Sequence, residues 1–301
     1  MKKIRGLLRM DKIFQIGTFC FQVANVEGIL IPSNFLLFEI SDRISEFTYH
    51  LNVTSNLPLA GNEILASRDD LIIYKTVNGE ERFIGMKGRN THYACYREIS
   101  DWEAEIFVAE AGIAALRYDT VFTSLFALER QMIWRESLIL HCAYMEYQGH
   151  AVLFFAPSET GKSTQAALWE RYRGSRTVNG DRALLRKIDG IWNACGWPVC
   201  GSSEICQKGD FPIYAIVMLR QGKKNHVERL TGVQAFSQIY SQITINQWNR
   251  EFVMKAMELL DDLIKQVPIW QLTCDISENA VKCLESALFP ESTGQCDERI
   301  K

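Results

Sequence analysis

No apolar run in this 301-residue chain approaches the about 20 residues that a membrane-spanning helix needs. The basic start MKKIRGLLRM resembles the head of a signal peptide, but Asp11 and Lys12 interrupt the apolar region that should follow, so a cytoplasmic location is expected. An excess of positive charge is also missing. Lys and Arg total 33 against 36 Asp and Glu, a formal net charge of -3, and no basic field draws the chain to nucleic acid or an anionic membrane. The nine cysteines are odd in number and include no CxxC pair. Cys195, Cys200 and Cys206 lie close together without a histidine among them, so reduced thiols are a simpler reading than zinc. Internal repeats and low-complexity linkers are absent too. The remaining composition, 47% hydrophobic and 23% charged, is that of an ordinary globular chain with room for one large domain or two modest ones.

The first 115 residues read as short strands. Asn78-Gly79 stands between two runs that can pair as a hairpin, and EFTYHLNVT alternates with Phe47, Tyr49, Leu51 and Val53 on one face. No catalytic constellation is visible there. From residue 116 the pattern changes. Leu116, Phe122, Leu125, Phe126 and Leu128 predict a buried helix over about 118–134, followed by a hairpin turning at Gln148-Gly149 whose second strand is HAVLFFA. Further on, TVNGDRALLRKIDGIWNACGW predicts a hairpin turning at Asp189-Gly190, and FPIYAIVMLRQ a buried strand. The segment NQWNREFVMKAMELLDDLIKQV is an amphipathic helix with Phe252, Met257, Leu260, Leu263, Ile264 and Val267 as core candidates. The expected organisation is a β-rich region over 1–115, a catalytic domain over 116–290 and a tail over 291–301.

The segment APSETGKS, Ala156 to Ser163, lies between the apolar strand AVLFF and a run of good helix formers that Gly174 can stop. It matches the phosphate-loop pattern G-x-x-x-x-G-K-[ST] except at its first position, where Ala156 replaces glycine. If φ at 156 is negative, as the following proline favours, alanine costs little. In such a loop, backbone N–H groups at a helix N-terminus point at phosphate, here from Ser158, Glu159, Thr160, Gly161, Lys162, Ser163 and Thr164. Lys162 would reach the β and γ phosphates, and the Ser163 hydroxyl would ligate Mg²⁺. Glu159 is expected to point outward, since its carboxylate would repel phosphate.

Together with VNGDRALLRKIDGIWNACGWP and IYAIVMLRQGKKNHVERL, this segment resembles the catalytic domain of HPr kinase/phosphorylase, within the superfamily shared with phosphoenolpyruvate carboxykinase. The resemblance covers about residues 135–290. It implies an α/β fold, a P-loop kinase domain with a mixed β-sheet flanked by helices, preceded by the smaller β-rich region. It also implies ATP and Mg²⁺ as cofactors and allows a homo-oligomer. His141, 21 residues before Lys162, matches the family's histidine, and Asp181, 19 residues after it, matches one acid of the family's pair. Gly180 stands where the second acid belongs, and the glycine-rich signature that contacts the protein substrate of HPr kinase is missing. Asp181 is therefore assigned as metal partner or general base, His141 as its support, and Glu204 in GWPVCGSSEIC as a replacement for the missing acid. That loop is the expected acceptor-contacting segment, and Arg182 and Arg220 are candidates for stabilising transition-state charge. The expected activity is phosphoryl transfer from ATP to a hydroxyl of a small metabolite, either a sugar or an amino acid. The alternatives are a peptide or protein serine as acceptor, a silent ATP-binding regulator, and carboxykinase activity proper, for which the chain is short.

Overall fold

The computed structural model describes residues 11–89, 91–157 and 159–290; Ser158 and the expected tail 291–301 lie outside the described residues. The chain divides into two compact units, Met1–Gln131 and Met132–Lys301, later than the change of pattern at residue 115. Each is a large sheet with helices, so the architecture is mixed α/β. No helix among the described residues is long and apolar enough to cross a membrane.

The first unit contains β1 (Lys12–Ile16), β2 (Phe19–Ala24), α1 (Ser33–Leu36), β3 (Glu39–Ile40), β4 (Phe47–Thr54), β5 (Ile64–Arg68), β6 (Leu71–Thr76), β7 (Gly79–Gly85), β8 (His92–Ser100), β9 (Glu103–Ala109) and α2 (Asp119–Thr123). Its strands form one nine-stranded sheet in the order β3-β1-β2-β4-β9-β8-β7-β6-β5. The β6–β7 hairpin pairs Thr76 with Gly79, so its turn residues are Val77 and Asn78, one position earlier than Asn78-Gly79. On β4, Phe47, Tyr49 and Leu51 are buried as the alternation requires, whereas Val53 is exposed at the strand's end. An aromatic core of Phe14, Phe21, Phe35, Tyr49, Phe122 and Phe126 packs mostly edge to face, and the Tyr49 hydroxyl donates to the Phe126 carbonyl at 2.9 Å.

The helix predicted over 118–134 is broken. After α2 comes a 3₁₀ turn, then α3 (Leu128–Trp134), because Ala127 turns left-handed at φ 46° between them. Phe122, Leu125 and Phe126, spaced as on one helix face, are all buried.

The second unit contains β10 (Ser137–His141), β11 (Ala143–Tyr147), β12 (His150–Phe155), α4 (Lys162–Arg173), β13 (Arg176–Asn179), β14 (Arg182–Ile188), β15 (Ile191–Cys195), β16 (Phe211–Gln221), β17 (His226–Leu230), α5 (Gly232–Tyr240), α6 (Arg250–Gln266), β18 (Ile269–Cys274) and α7 (Glu278–Leu288). The sheet runs β10-β14-β15-β16-β12-β11-β13, with β18 also paired to β16 and β17 to β18. β12, β16 and β18 are mutually parallel neighbours and the other pairs are antiparallel. The hairpin turns fall where expected, with left-handed backbone at Gln148-Gly149 and Asp189-Gly190.

AVLFF is continuously apolar because both faces of β12 are covered. Ala151, Leu153 and Phe155 face one core, shared with Phe252, Ala256, Leu260 and Leu263 of α6. Val152, Phe154 and Ala156 face the other, shared with Ala166 and Trp169 of α4 and with Val281 and Leu284 of α7. Burying each large side chain contributes about 1.5–3 kcal/mol. Asn249 caps α6 by accepting from the Phe252 N–H at 3.0 Å. Of the core positions expected on α6, Met257 is exposed instead, since the helix turns Ala256, Leu259 and Leu260 inward.

Candidate active site

β12 releases the chain at Ala156 into the loop 156–161, whose left-handed positions among the described residues are Glu159 (φ 64°) and Gly161 (φ 108°). Ala156 is not left-handed, so no glycine is required there. Gly161 is the residue before α4, and its carbonyl accepts from the Gln165 N–H at 2.9 Å. The first turn of α4 carries no acidic residue and leaves its positive end available to an anion. Glu159 is exposed and lines a cavity beside the loop, while Ser163 and Thr164 are exposed on the first turn. Thr160 is tied back to the loop through its hydroxyl, which donates to the Pro157 carbonyl at 2.8 Å.

Lys162 is 8% exposed, and its Nζ donates to the Ala156 carbonyl at 3.1 Å. Burial pushes its pKa below the ordinary lysine value, against the opposing pull of Asp181. A buried ammonium held by a neutral carbonyl is under-compensated, and a phosphate oxygen is the stronger partner.

Antiparallel pairing of β10 with β14 sets His141 opposite Arg182, and the Cys142 N–H donates to the Asp181 carbonyl at 3.0 Å. His141 Nε2 lies 3.5 Å from Asp181 Oδ1, and Arg182 Nε donates to Asp181 Oδ2 at 3.0 Å. The His141 pKa is lowered, first by burial and then by Lys162, with Asp181 opposing, so the imidazole is neutral at neutral pH. The structure thus brings Lys162, His141 and Asp181 into one charged neighbourhood with Arg182. The Arg182 guanidinium is held from behind by Thr244 Oγ1 at 3.3 Å.

Gly180, beside Asp181, has no room for a side chain in this arrangement. A Cβ at Gly180 would lie 2.0 Å from Ser203 Oγ and 2.3 Å from Ser203 Cβ, because the 3₁₀ turn Gly201–Ser203 folds over this position. A Cβ at Gly201 would likewise lie 3.0 Å from Asp181 Oδ1. The 196–206 loop lies against Asp181 through Gly201, and its own Trp197, Val199 and Cys200 are buried.

Glu204 follows the turn that lies against Gly180. It is exposed with left-handed backbone at φ 56° and makes no hydrogen bond or ion pair among the described residues. Arg220 is exposed near the end of β16. Ser158 lies outside the described residues.

Sequence reasoning missed Asn179, which is fully buried. Its Nδ2 donates to the carbonyls of Trp197 (2.8 Å) and Val199 (3.0 Å), and its Oδ1 accepts from the N–H groups of Asp181 and Arg182, both at 2.9 Å. One amide therefore fixes the turn that carries Asp181 and the loop that covers it. An Asn opening an N-G-D turn was the available signal.

No group of three or more His, Cys, Asp or Glu among the described residues could hold a metal by itself. The Ser163 hydroxyl and the Asp181 carboxylate do suit Mg²⁺, which takes one or two protein oxygens and completes its shell with phosphate and water.

No protein-family model matches this chain, and no curated protein matches it. Among solved structures, the Hpr(Ser) kinase/phosphatase from Coxiella burnetii is similar over 52% of this chain and 94% of its own, at 10% identity and a TM-score of 0.30, a likeness that establishes neither family nor activity.

Proposed function

We propose that the second unit is an ATP-utilising, Mg²⁺-dependent kinase that transfers the γ-phosphoryl group to a hydroxyl of a small metabolite. The observation that carries this reading is Lys162, buried at the N-terminus of α4 on a neutral carbonyl and within electrostatic reach of the His141–Asp181 pair. Its support from sequence is the resemblance of residues 135–290 to the HPr kinase catalytic domain.

Phosphoryl transfer needs positioning and charge neutralisation more than covalent help. In this reading Lys162 leaves the Ala156 carbonyl for the phosphate oxygens, and the backbone N–H groups of the loop and first turn hold the rest. Ser163 and Asp181 would hold Mg²⁺, which neutralises phosphate charge when bound. The lone acid is then committed to the metal, and neutral His141, 3.5 Å away, accepts the acceptor hydroxyl's proton. As that O–H bond breaks, the new O–P bond forms and the bond from the γ-phosphorus to its bridging oxygen breaks, releasing ADP. Arg182 balances the charge of Asp181.

The test is ³¹P NMR of the protein with Mg²⁺-ATP and pooled sugars, amino acids and nucleosides, with Lys162→Ala and Asp181→Asn alongside. A new phosphoester absent with both variants supports the reading and names the acceptor class. ATP binding without any new ester moves the reading to a silent nucleotide-binding regulator, which the single acid favours, or to a peptide or protein serine as acceptor.

A further inference from the structure

A cavity of about 340 Å³ lies between the first turns of α4 and the C-terminal ends of β16 and β18, and Glu159, Thr160 and Gly161 of the loop form part of its wall. A polyphosphate held by the loop therefore lies beside this cavity.

The walls fit a nucleoside. Leu168, the buried Leu219 and Ile276 are apolar, and Ile276 is 78% exposed at the edge. Gln165, 3% exposed, lines the cavity; its Nε2 donates to Cys274 Sγ at 3.2 Å, while its Oε1 is closed to water and has no hydrogen-bond partner. A buried acceptor without a donor is costly, and a ligand that supplies one recovers that cost. Asp275, also on the wall, uses Oδ1 for Asn225 Nδ2 (3.1 Å) and Ser277 Oγ (2.5 Å), which leaves Oδ2 for further donors.

We propose that this cavity takes the nucleoside end of the nucleotide, with an amino-bearing purine between Leu168 and Ile276, its exocyclic amine donating to Gln165 Oε1 and its sugar hydroxyls donating to Asp275. The proposal rests on reading the 156–163 loop as a phosphate cradle. It selects adenine over hypoxanthine, which carries a carbonyl in place of the amine.

Calorimetric titration of the full chain with Mg²⁺-ATP, Mg²⁺-ITP and Mg²⁺-tripolyphosphate separates the two ideas. ATP is expected to bind about tenfold more tightly than ITP, the scale of one hydrogen bond to a buried partner, and more tightly still than tripolyphosphate. Gln165→Met, which keeps the volume, is expected to abolish the ATP/ITP difference. Ile276→Ser, at an exposed position, should weaken ATP and leave tripolyphosphate unchanged. Equal affinity for all three ligands, lost in Lys162→Ala, overturns the nucleoside site and leaves the cradle standing. Tighter binding of ITP than ATP overturns the amine contact. ATP binding that survives Lys162→Ala, with ATP still preferred over ITP, supports the cavity and overturns the cradle, whereas no binding of any of the three overturns both.

Discussion

The two units bury charge in opposite ways. In the first, Glu80, Glu81, Arg82 and Glu98 are each less than 8% exposed, and every one is paired. Arg82 Nη1 meets Glu129 at 2.6 Å and Arg82 Nε meets Glu80 at 2.5 Å; Arg130 holds Glu98 at 2.7 Å and Glu80 at 3.1 Å; Arg97 Nε holds Glu81 at 2.7 Å. In the second, the buried ammonium of Lys162 rests on a neutral carbonyl, and the carboxylate near it is shared between an arginine and a neutral histidine. A saturated network fixes a fold and has nothing left to offer a ligand. An unsaturated one stays poised for a partner, which is the physical signature expected of a site.

The sharpest way to break this contrast is to remove one charge from each unit. Lys162→Ala should reduce phosphoryl transfer more than about 100-fold, because the one cation in the loop is lost, and should leave the urea midpoint nearly unchanged. Arg82→Met should do the reverse. It removes the buried cation that Glu80 and Glu129 share and costs about 3–5 kcal/mol of stability in urea unfolding, while nucleotide affinity in the folded fraction is retained.

A smaller effect is expected at Gly180, where the proposed function has use for a second acid. On that reading alone, Gly180→Asp would raise phosphoryl transfer. The close approach of Ser203 instead predicts a destabilisation of about 1–3 kcal/mol with no gain in rate, and partial recovery of the melting temperature when Ser203→Gly is added. An activated, fully stable Gly180→Asp protein would sink this explanation.

The smallest expected effect compares the two histidines whose pKa values are lowered, His92 in the first unit by burial alone and His141 in the second by burial plus Lys162. Both are neutral in the folded protein where the unfolded chain would bind a proton. Each therefore subtracts stability as pH falls through the ordinary histidine value of about 6.5 towards its folded value, and subtracts nothing above that range. Only His141 should also shape the rate, with a rising limb of kcat/KM below pH 6.5 that disappears in His141→Asn and persists in His92→Asn.

Some of this was legible in the chain. The β12–loop–α4 unit is local: an apolar run, a turn and a helix adjoin in sequence, and their order alone sets Lys162 at a helix N-terminus. The hairpins at Gln148-Gly149 and Asp189-Gly190 were legible for the same reason, since turn chemistry acts over two residues. The burial of Glu80, Glu81 and Arg82 on β7 was not, because GEERF carries no sign that partners arrive from β8 and α3. Nor was the left-handed backbone at Glu204, which the turn over Gly180 imposes.

What the sequence determined by itself is thus the set of short-range devices: the strands, the turns, the phosphate-loop pattern and the helix behind it. Tertiary structure alone decided which distant groups share a space. The register of β10 on β14 put His141 beside Asp181, the buried amide of Asn179 pinned the covering loop, and the approach of Ser203 left no room for a side chain at Gly180. These depend on contacts between residues tens of positions apart, and such contacts form only when burial of the two cores has already paired the strands that carry them.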